Sequence, residues 1–224
     1  TYGYDAAVGP LNVAVLVAPG ALPGDFAESA YVKRHLMPFG EYTPPALGWF
    51  VELLQVPMTD LGAAPPDSPS LLEVRGVAFR PSLCLELLYG GELATDAREA
   101  GFVVNQSNTA WFPAARARTQ FVGVARARAL EQRKPVVLVG NGGPTAVIGP
   151  HGTIVALADF GRAATLRAIV QPRSGATPYA DLGDALAWLA ALLLAAIGAG
   201  AAVRSAGARA SSSLAARGGP ATKG

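Results

Sequence analysis

From Leu182 to Val203 the chain reads LGDALAWLAALLLAAIGAGAAV, and Asp184, close to the start, is its only charge. At about 1.5 Å rise per residue such a run makes a helix of about 33 Å, enough for a hydrocarbon core of about 30 Å. A buried core helix is the blander alternative, because Ala and Gly are only mildly apolar. The C-terminal residues beyond the run weigh against that alternative: Arg204, Arg209, Arg217 and Lys223 occur before Gly224 with no Asp or Glu among them. Basic residues directly after an apolar segment mark the cytoplasmic side. The expected organisation is a globular domain over 1–181 outside the inner face, a transmembrane helix over 182–203, and a disordered basic tail over 204–224.

Composition agrees with partial contact with something other than water. Charged residues make up 15% of the chain, against roughly 25% in an ordinary soluble domain. A net charge of +2 is too small to argue for nucleic acid. The lone cysteine, Cys84, excludes an internal disulfide, and with His35 and His151 it does not make a metal-ligand set, so neither metal nor cofactor is expected. The opening TYGYDAAVGP has no basic stretch leading into an apolar run and is not a signal peptide.

Short β-like runs separated by Gly and Pro fill the chain as far as Tyr179. They are expected at 12–17, 72–79, 82–87, 102–106, 135–139, 145–148, 153–158 and 164–170, with helices over 92–100 and 119–133. Strands mixed with helices predict an α/β or α+β domain. The apolar stretch ALGWFVELLQV, Ala46 to Val56, reads either as a packed helix or as an arm dipping into a membrane interface, where Trp is favoured.

Cys84 lies in RPSLCLELLYG, at the end of a β-like run and before two glycines. A lone Cys in an apolar strand is ordinarily inert core; as a nucleophile it needs a cation to favour its thiolate. In a strand Glu86 would share its face and oppose ionisation. The cation would be Lys33, in YVKRHLMPFGEY, where Gly40 is expected to force a turn that returns Glu41 to pair with the ammonium.

Tyr31 to Glu41 resembles the YxKxHLxPFGE signature of bacterial apolipoprotein N-acyltransferases, membrane enzymes of the nitrilase (carbon-nitrogen hydrolase) superfamily. Further stretches are similar in order and spacing: SLCLE at 82–86, SNTAWF at 107–112, ARARALEQRKP at 125–135, TAVIGPHG at 145–152 and GATPYA at 175–180. The resemblance implies a nitrilase-like αββα sandwich, incomplete at its N-terminus, facing the periplasm and followed by one transmembrane helix. It implies a bacterial inner-membrane protein, multi-pass in full, acting as a monomer.

The implied chemistry is acyl transfer through a Cys thioester. Cys84 would be the nucleophile and Lys33 the catalytic lysine, with Glu41 and Glu86 as supporting carboxylates and the Leu85 backbone N–H as an oxyanion donor. The implied partners are a membrane phospholipid as acyl donor, typically phosphatidylethanolamine, and a diacylglyceryl apolipoprotein as acceptor. Asn108, Trp111 and Phe112 would lie near the substrate. Asn108 and Asn141 are also expected to satisfy backbone groups in turns, Arg126 and Arg128 to pair with acids such as Glu131, and His35 to be structural. The sequence departs from the family pattern at Leu85, where Tyr is usual, at Thr109, where Asp is, and at Pro113, where Gly is. The general-base Glu of the family has no counterpart: Asp5, Asp25 and Glu28 do not stand in its motif. The chain is therefore expected to be a C-terminal portion of a longer protein and inactive alone. Two rival readings are a nitrilase-type amidase acting on a small amide and a catalytically silent membrane-tethered domain.

Overall fold

The computed structural model describes residues 2–5, 9–21, 29–49, 53, 60–110, 115–158 and 161–217. They form two compact units divided between Asp181 and Leu182. The first contains two sheets. Strands β1 (Tyr2–Asp5), β2 (Gly9–Val15) and β3 (Ala30–Val32) make an antiparallel sheet in that order. Strands β4 (Leu72–Val74), β5 (Val77–Leu83), β6 (Val103–Asn108), β7 (Val136–Asn141), β8 (Thr145–Ile148) and β9 (Ile154–Ala158) make a six-stranded mixed sheet, also in chain order. Its centre, β5-β6-β7, is parallel and the outer pairings are antiparallel.

The parallel centre requires crossovers. The first contains a 3-10 turn (Cys84–Leu88) and helix α1 (Gly90–Thr95); the second contains helix α2 (Ala115–Gln132). Phe121, Ala125 and Ala129 recur at four-residue spacing on α2 and are buried against Val103, Val136, Leu138, Ala146 and Ile148 of the sheet. Methyl-sized side chains at 125 and 129 let the helix approach closely. Arg133, in the left-handed region at φ 53°, ends the helix ahead of Lys134 and Pro135. Ile148→Val removes one fully buried methyl from this layer and is expected to lower stability by about 1 kcal/mol, read from the urea midpoint.

Neighbouring residues of β6 face opposite ways: Val103 joins the helix layer, whereas Val104 packs with Tyr31, Leu72, Phe79 and Leu83 between the two sheets. The described residues thus supply an α layer and two β layers of the expected nitrilase-like sandwich.

Several expectations need correction. The expected strand over 72–79 is a hairpin, because Arg75 (φ 52°) and Gly76 (φ 76°) both adopt left-handed conformations and make a tight reversal between β4 and β5. The run expected over 82–87 stops at Leu83 and continues as the 3-10 turn. Helix α1 ends at Thr95, short of the expected Ala100. Residues 164–170 are not a strand; their backbone has no regular structure and most of them are exposed. Strands β1 and β3 were not foreseen. Of the apolar 46–56 stretch, a 3-10 turn at Pro45–Leu47 and the exposed Trp49 and Leu53 are described, while 50–52 and 54–56 lie outside the described residues.

The first unit ends within a short helix, α3 (Pro178–Leu182). The second is dominated by helix α4 (Ala185–Arg217). Its window Ala185–Ala202 is long and apolar enough to cross a membrane, with mean hydropathy 2.1 and no buried share. The helix continues past Val203, where a disordered tail was expected, through an Ala-rich stretch of high helix propensity.

Candidate active site

Cys84 stands where β5 gives way to the 3-10 turn, at the edge formed by the C-terminal ends of three parallel strands. Register pairs Leu83 with Gln106 and Asn108 with Asn141, so the loops after β5, β6 and β7 open on the same side. Cys84 adopts φ 52°. A non-glycine residue in that region is strained, and such strain is held only where surrounding contacts fix it. Asn105 supplies one: its buried side-chain amide donates to the Cys84 carbonyl (3.2 Å), to the Ser82 hydroxyl (2.9 Å) and to the Ser82 carbonyl (3.3 Å). Sequence reading missed Asn105; its signal is a polar residue inside the otherwise apolar start of β6, VVN.

Glu86 supplies the rest. It is 4% exposed, and its carboxylate accepts from the Leu83 backbone N–H (2.7 Å), the Tyr31 hydroxyl (3.0 Å), and the backbone N–H groups of Arg34 (2.6 Å) and His35 (3.1 Å). The left-handed turn at Cys84 replaces the strand expected to set Glu86 on the same face as the sulfur. The carboxylate instead reaches from the nucleophile turn to the segment after β3, tying the chain on both sides of Lys33 to β5. Tyr31 was read only as part of a motif. Burial first, and then the Glu86 charge, push its phenol pKa well above the ordinary value, so it stays a donor.

Lys33 is 1% exposed, and its ammonium donates to both oxygens of Glu41, at 2.8 and 2.6 Å. The same carboxylate accepts from the Asn12 side-chain amide (2.7 Å) and the Met37 backbone N–H (2.7 Å). The turn that returns Glu41 forms as anticipated, with Glu41 N–H donating to the Met37 carbonyl at 2.8 Å. Its left-handed residue is Phe39 (φ 60°), not Gly40.

Burial raises the Cys84 thiol pKa above its ordinary value. The Lys33 ammonium and the Leu85 backbone N–H oppose that rise, while Glu41 and Glu86 add to it. Thus Cys84, Lys33, Glu41, Leu85 and Glu86 are gathered in one place, with the thiol predominantly protonated at neutral pH. A sulfur flanked by a cation and a backbone donor can attack a carbonyl carbon once deprotonated, and both flanking groups can stabilise the oxyanion formed. Its proton needs an acceptor, and each neighbouring carboxylate is already filled by four contacts.

The loops beside Cys84 are joined to each other. The Asn108 side-chain oxygen accepts from the Ala110 N–H (3.2 Å) and the Asn141 amide (3.4 Å), and buried Thr109 donates its backbone N–H to the Asn141 carbonyl (3.0 Å). A Cβ at Gly143 would lie 1.9 Å from the Thr109 hydroxyl, so this approach requires glycine. Trp111, Phe112 and Pro113 lie outside the described residues, as do Asp25 and Glu28. Asp5 ends β1 and pairs with Gly9. Arg128 meets Glu131 at 2.8 Å, whereas Arg126 donates to the Gly152 carbonyl at 2.7 Å. His151 contacts Arg133 at the surface. Among the described residues no three His, Cys, Asp or Glu side chains gather as metal ligands.

Curated relatives are similar over three quarters of the chain. Apolipoprotein N-acyltransferase of Bordetella bronchiseptica is 38% identical over 175 residues, 74% of this chain and 32% of that protein. That of Methylococcus capsulatus is 39% identical over 171 residues, 75% of this chain and 33% of that protein. The chain therefore spans about a third of the length of these relatives. Among solved structures, Saccharomyces cerevisiae Nit3, a member of branch 10 of the nitrilase superfamily, is 22% identical with a TM-score of 0.42, covering 62% of this chain and 47% of that one. The carbon-nitrogen hydrolase family model matches residues 5–179, which include the whole six-stranded sheet, β2 and β3 of the other, and every residue of the Cys84 site. The chain belongs to the carbon-nitrogen hydrolase family.

Proposed function

We propose that the chain carries the acyl-transfer centre of an apolipoprotein N-acyltransferase, anchored in the bacterial inner membrane by α4 with residues 1–181 outside the cytoplasm. The observation that supports this most is the strained turn at Cys84, with the Lys33 ammonium and the Leu85 N–H both acting on its sulfur. The similarity to N-acyltransferases over this same region supports the choice of substrates.

In the first half-reaction the Cys84 thiol gives its proton to a base and the sulfur attacks an ester carbonyl of a membrane phospholipid. Lys33 and the Leu85 N–H hold the negative charge that develops on oxygen. The C–O bond breaks, the departing glycerol oxygen takes a proton, and a lysophospholipid leaves Cys84 as a thioester. In the second half the α-amine of a diacylglyceryl cysteine attacks the thioester carbonyl and loses a proton. The C–S bond breaks, the thiolate returns, and the lipoprotein becomes an amide. Glu41 holds Lys33, and Glu86 holds the turn. Because both are saturated, neither is assigned the proton, and the chain alone is proposed to turn over poorly at neutral pH.

The test is intact-mass measurement of the chain incubated with phosphatidylethanolamine vesicles or with a small primary amide, at neutral and mildly alkaline pH, where hydroxide replaces the base. The expected result is a hydroxylamine-labile acyl adduct from the phospholipid, growing with pH and absent in Cys84→Ala. An adduct from the amide alone would establish an amidase. The filled state of both carboxylates favours the silent tethered domain as second reading, and no adduct at any pH would decide for it.

A further inference from the structure

Asn105 is 0% exposed, and both polar atoms of its side chain are matched. Its amide nitrogen donates to the Cys84 carbonyl, the Ser82 carbonyl and the Ser82 hydroxyl, while its oxygen accepts from the Ser107 hydroxyl at 2.6 Å. Carbonyl oxygens only accept, so the nitrogen end of the amide must be the end that faces Cys84. Ser82 and Ser107, themselves buried, hold it in that orientation. Strand alternation puts Asn105 on the side of β6 that carries Val103, where an apolar side chain would pack without the cost of burying an amide. What only a donor adds there is a hold on the Cys84 carbonyl.

That carbonyl and the Leu85 N–H belong to one peptide unit. The unit is planar and trans, so its oxygen and its hydrogen point in opposite directions. Fixing the oxygen on Asn105 therefore aims the N–H away from the amide, and the N–H acts on the Cys84 sulfur. The 3-10 turn itself gives the peptide a weaker hold, because its i to i+3 hydrogen-bond geometry is poor. Glu86 grips the turn at the Leu83 N–H, two peptide units earlier.

We infer that Asn105 is a positioning residue that sets the direction of the oxyanion donor: by holding the Cys84 carbonyl it keeps the Leu85 N–H on the side where an attacked ester oxygen gains its charge. The oxyanion rests on the acyl transfer proposed above. Asn105 acts through the peptide, not on the substrate.

Two reagents separate the donor from the thiolate. Above the thiol midpoint the Cys84 sulfur is already an anion and needs no base. With p-nitrophenyl butyrate it attacks the ester carbonyl, an oxyanion forms and collapses, p-nitrophenolate leaves and a thioester remains. With iodoacetamide it displaces iodide from a saturated carbon, and no oxyanion forms. The ratio of the two rates on the alkaline plateau thus reads the donor, with the urea-unfolded chain as baseline. In Asn105→Leu, which keeps the branched shape, the ratio is expected to fall about tenfold. The midpoint of its alkylation rate–pH profile is expected to rise, because a thiolate deprived of the N–H is less favoured. Mere loosening of the turn would relieve burial and lower the midpoint instead. A thermal melt establishes that the variant is folded. Ser107→Ala, which frees the orientation of the amide, is expected to move both readouts the same way by a smaller factor, and it decides if Asn105→Leu does not fold. An unchanged ratio in the deciding variant overturns the role, and so does a midpoint that stays or falls. If the wild-type ratio is no higher than that of the unfolded chain, the acyl-transfer reading fails, and the midpoint alone decides whether Asn105 aims the Leu85 N–H.

Discussion

Glu86→Ala is expected to destabilise the first unit by about 4 kcal/mol, a large part of the total stability of an ordinary domain. The substitution strands four donors at once: the Tyr31 hydroxyl and the N–H groups of Leu83, Arg34 and His35. Tyr31 and Leu83 are buried in the cluster between the sheets, where water does not readily take over as acceptor. Glu86→Gln preserves the volume but offers one acceptor oxygen and adds two donors among donors, so about half the loss is expected. The urea midpoint measures both, provided that the denaturant slope is unchanged. The turn adds a second consequence. Without Glu86 the left-handed Cys84 loses a principal restraint, and its alkylation should quicken as β5 opens. A Glu86→Ala protein with unchanged midpoint and unchanged Cys84 reactivity would show that the carboxylate ties nothing together.

The parts of this arrangement visible in the sequence are those that periodicity and residue chemistry encode locally. The runs at 102–106, 135–139, 145–148 and 153–158 are strands within two or three residues, because β-branched residues between Gly and Pro boundaries suit a buried sheet. The Lys33–Glu41 couple was legible from two opposite charges across a tight, proline-containing turn among apolar residues. The Cys84 turn was not. Cys has no preference for the left-handed region, and among the described residues contacts of Asn105 and Glu86 hold it there. With the turn unseen, Glu86 was assigned a strand face, and its link to Tyr31, more than fifty residues away, stayed hidden. Arg75 presents the same difficulty: Gly76 signals a turn, but a run of apolar residues on both sides reads as one strand. Residues 164–170 fail in the opposite direction. Their composition suits a strand, yet strand structure needs a partner edge, and among the described residues none is paired with them.

Lys33→Met is expected to slow alkylation of Cys84 by iodoacetamide at neutral pH about tenfold, by moving the thiol midpoint further up. The surroundings of the sulfur set the sign. Burial already raises the midpoint; Lys33 is the largest influence opposing it, and Glu41 and Glu86 act with burial. Removing the ammonium deletes the opposing charge and leaves the Glu41 carboxylate uncompensated, so both changes favour the neutral thiol. Met matches the length of the Lys stem, which limits the cavity left at a position that is 1% exposed. The rate–pH profile separates charge from shape. A charge effect shifts the midpoint upward and leaves the alkaline plateau unchanged; a packing effect changes the plateau and leaves the midpoint. The double substitution Lys33→Met with Glu41→Gln removes both members of the pair, and its midpoint should return toward wild type because the Glu41 contribution goes too. If Lys33→Met shifts only the plateau, the ammonium does not act on the sulfur, and the oxyanion role proposed for it has no electrostatic basis.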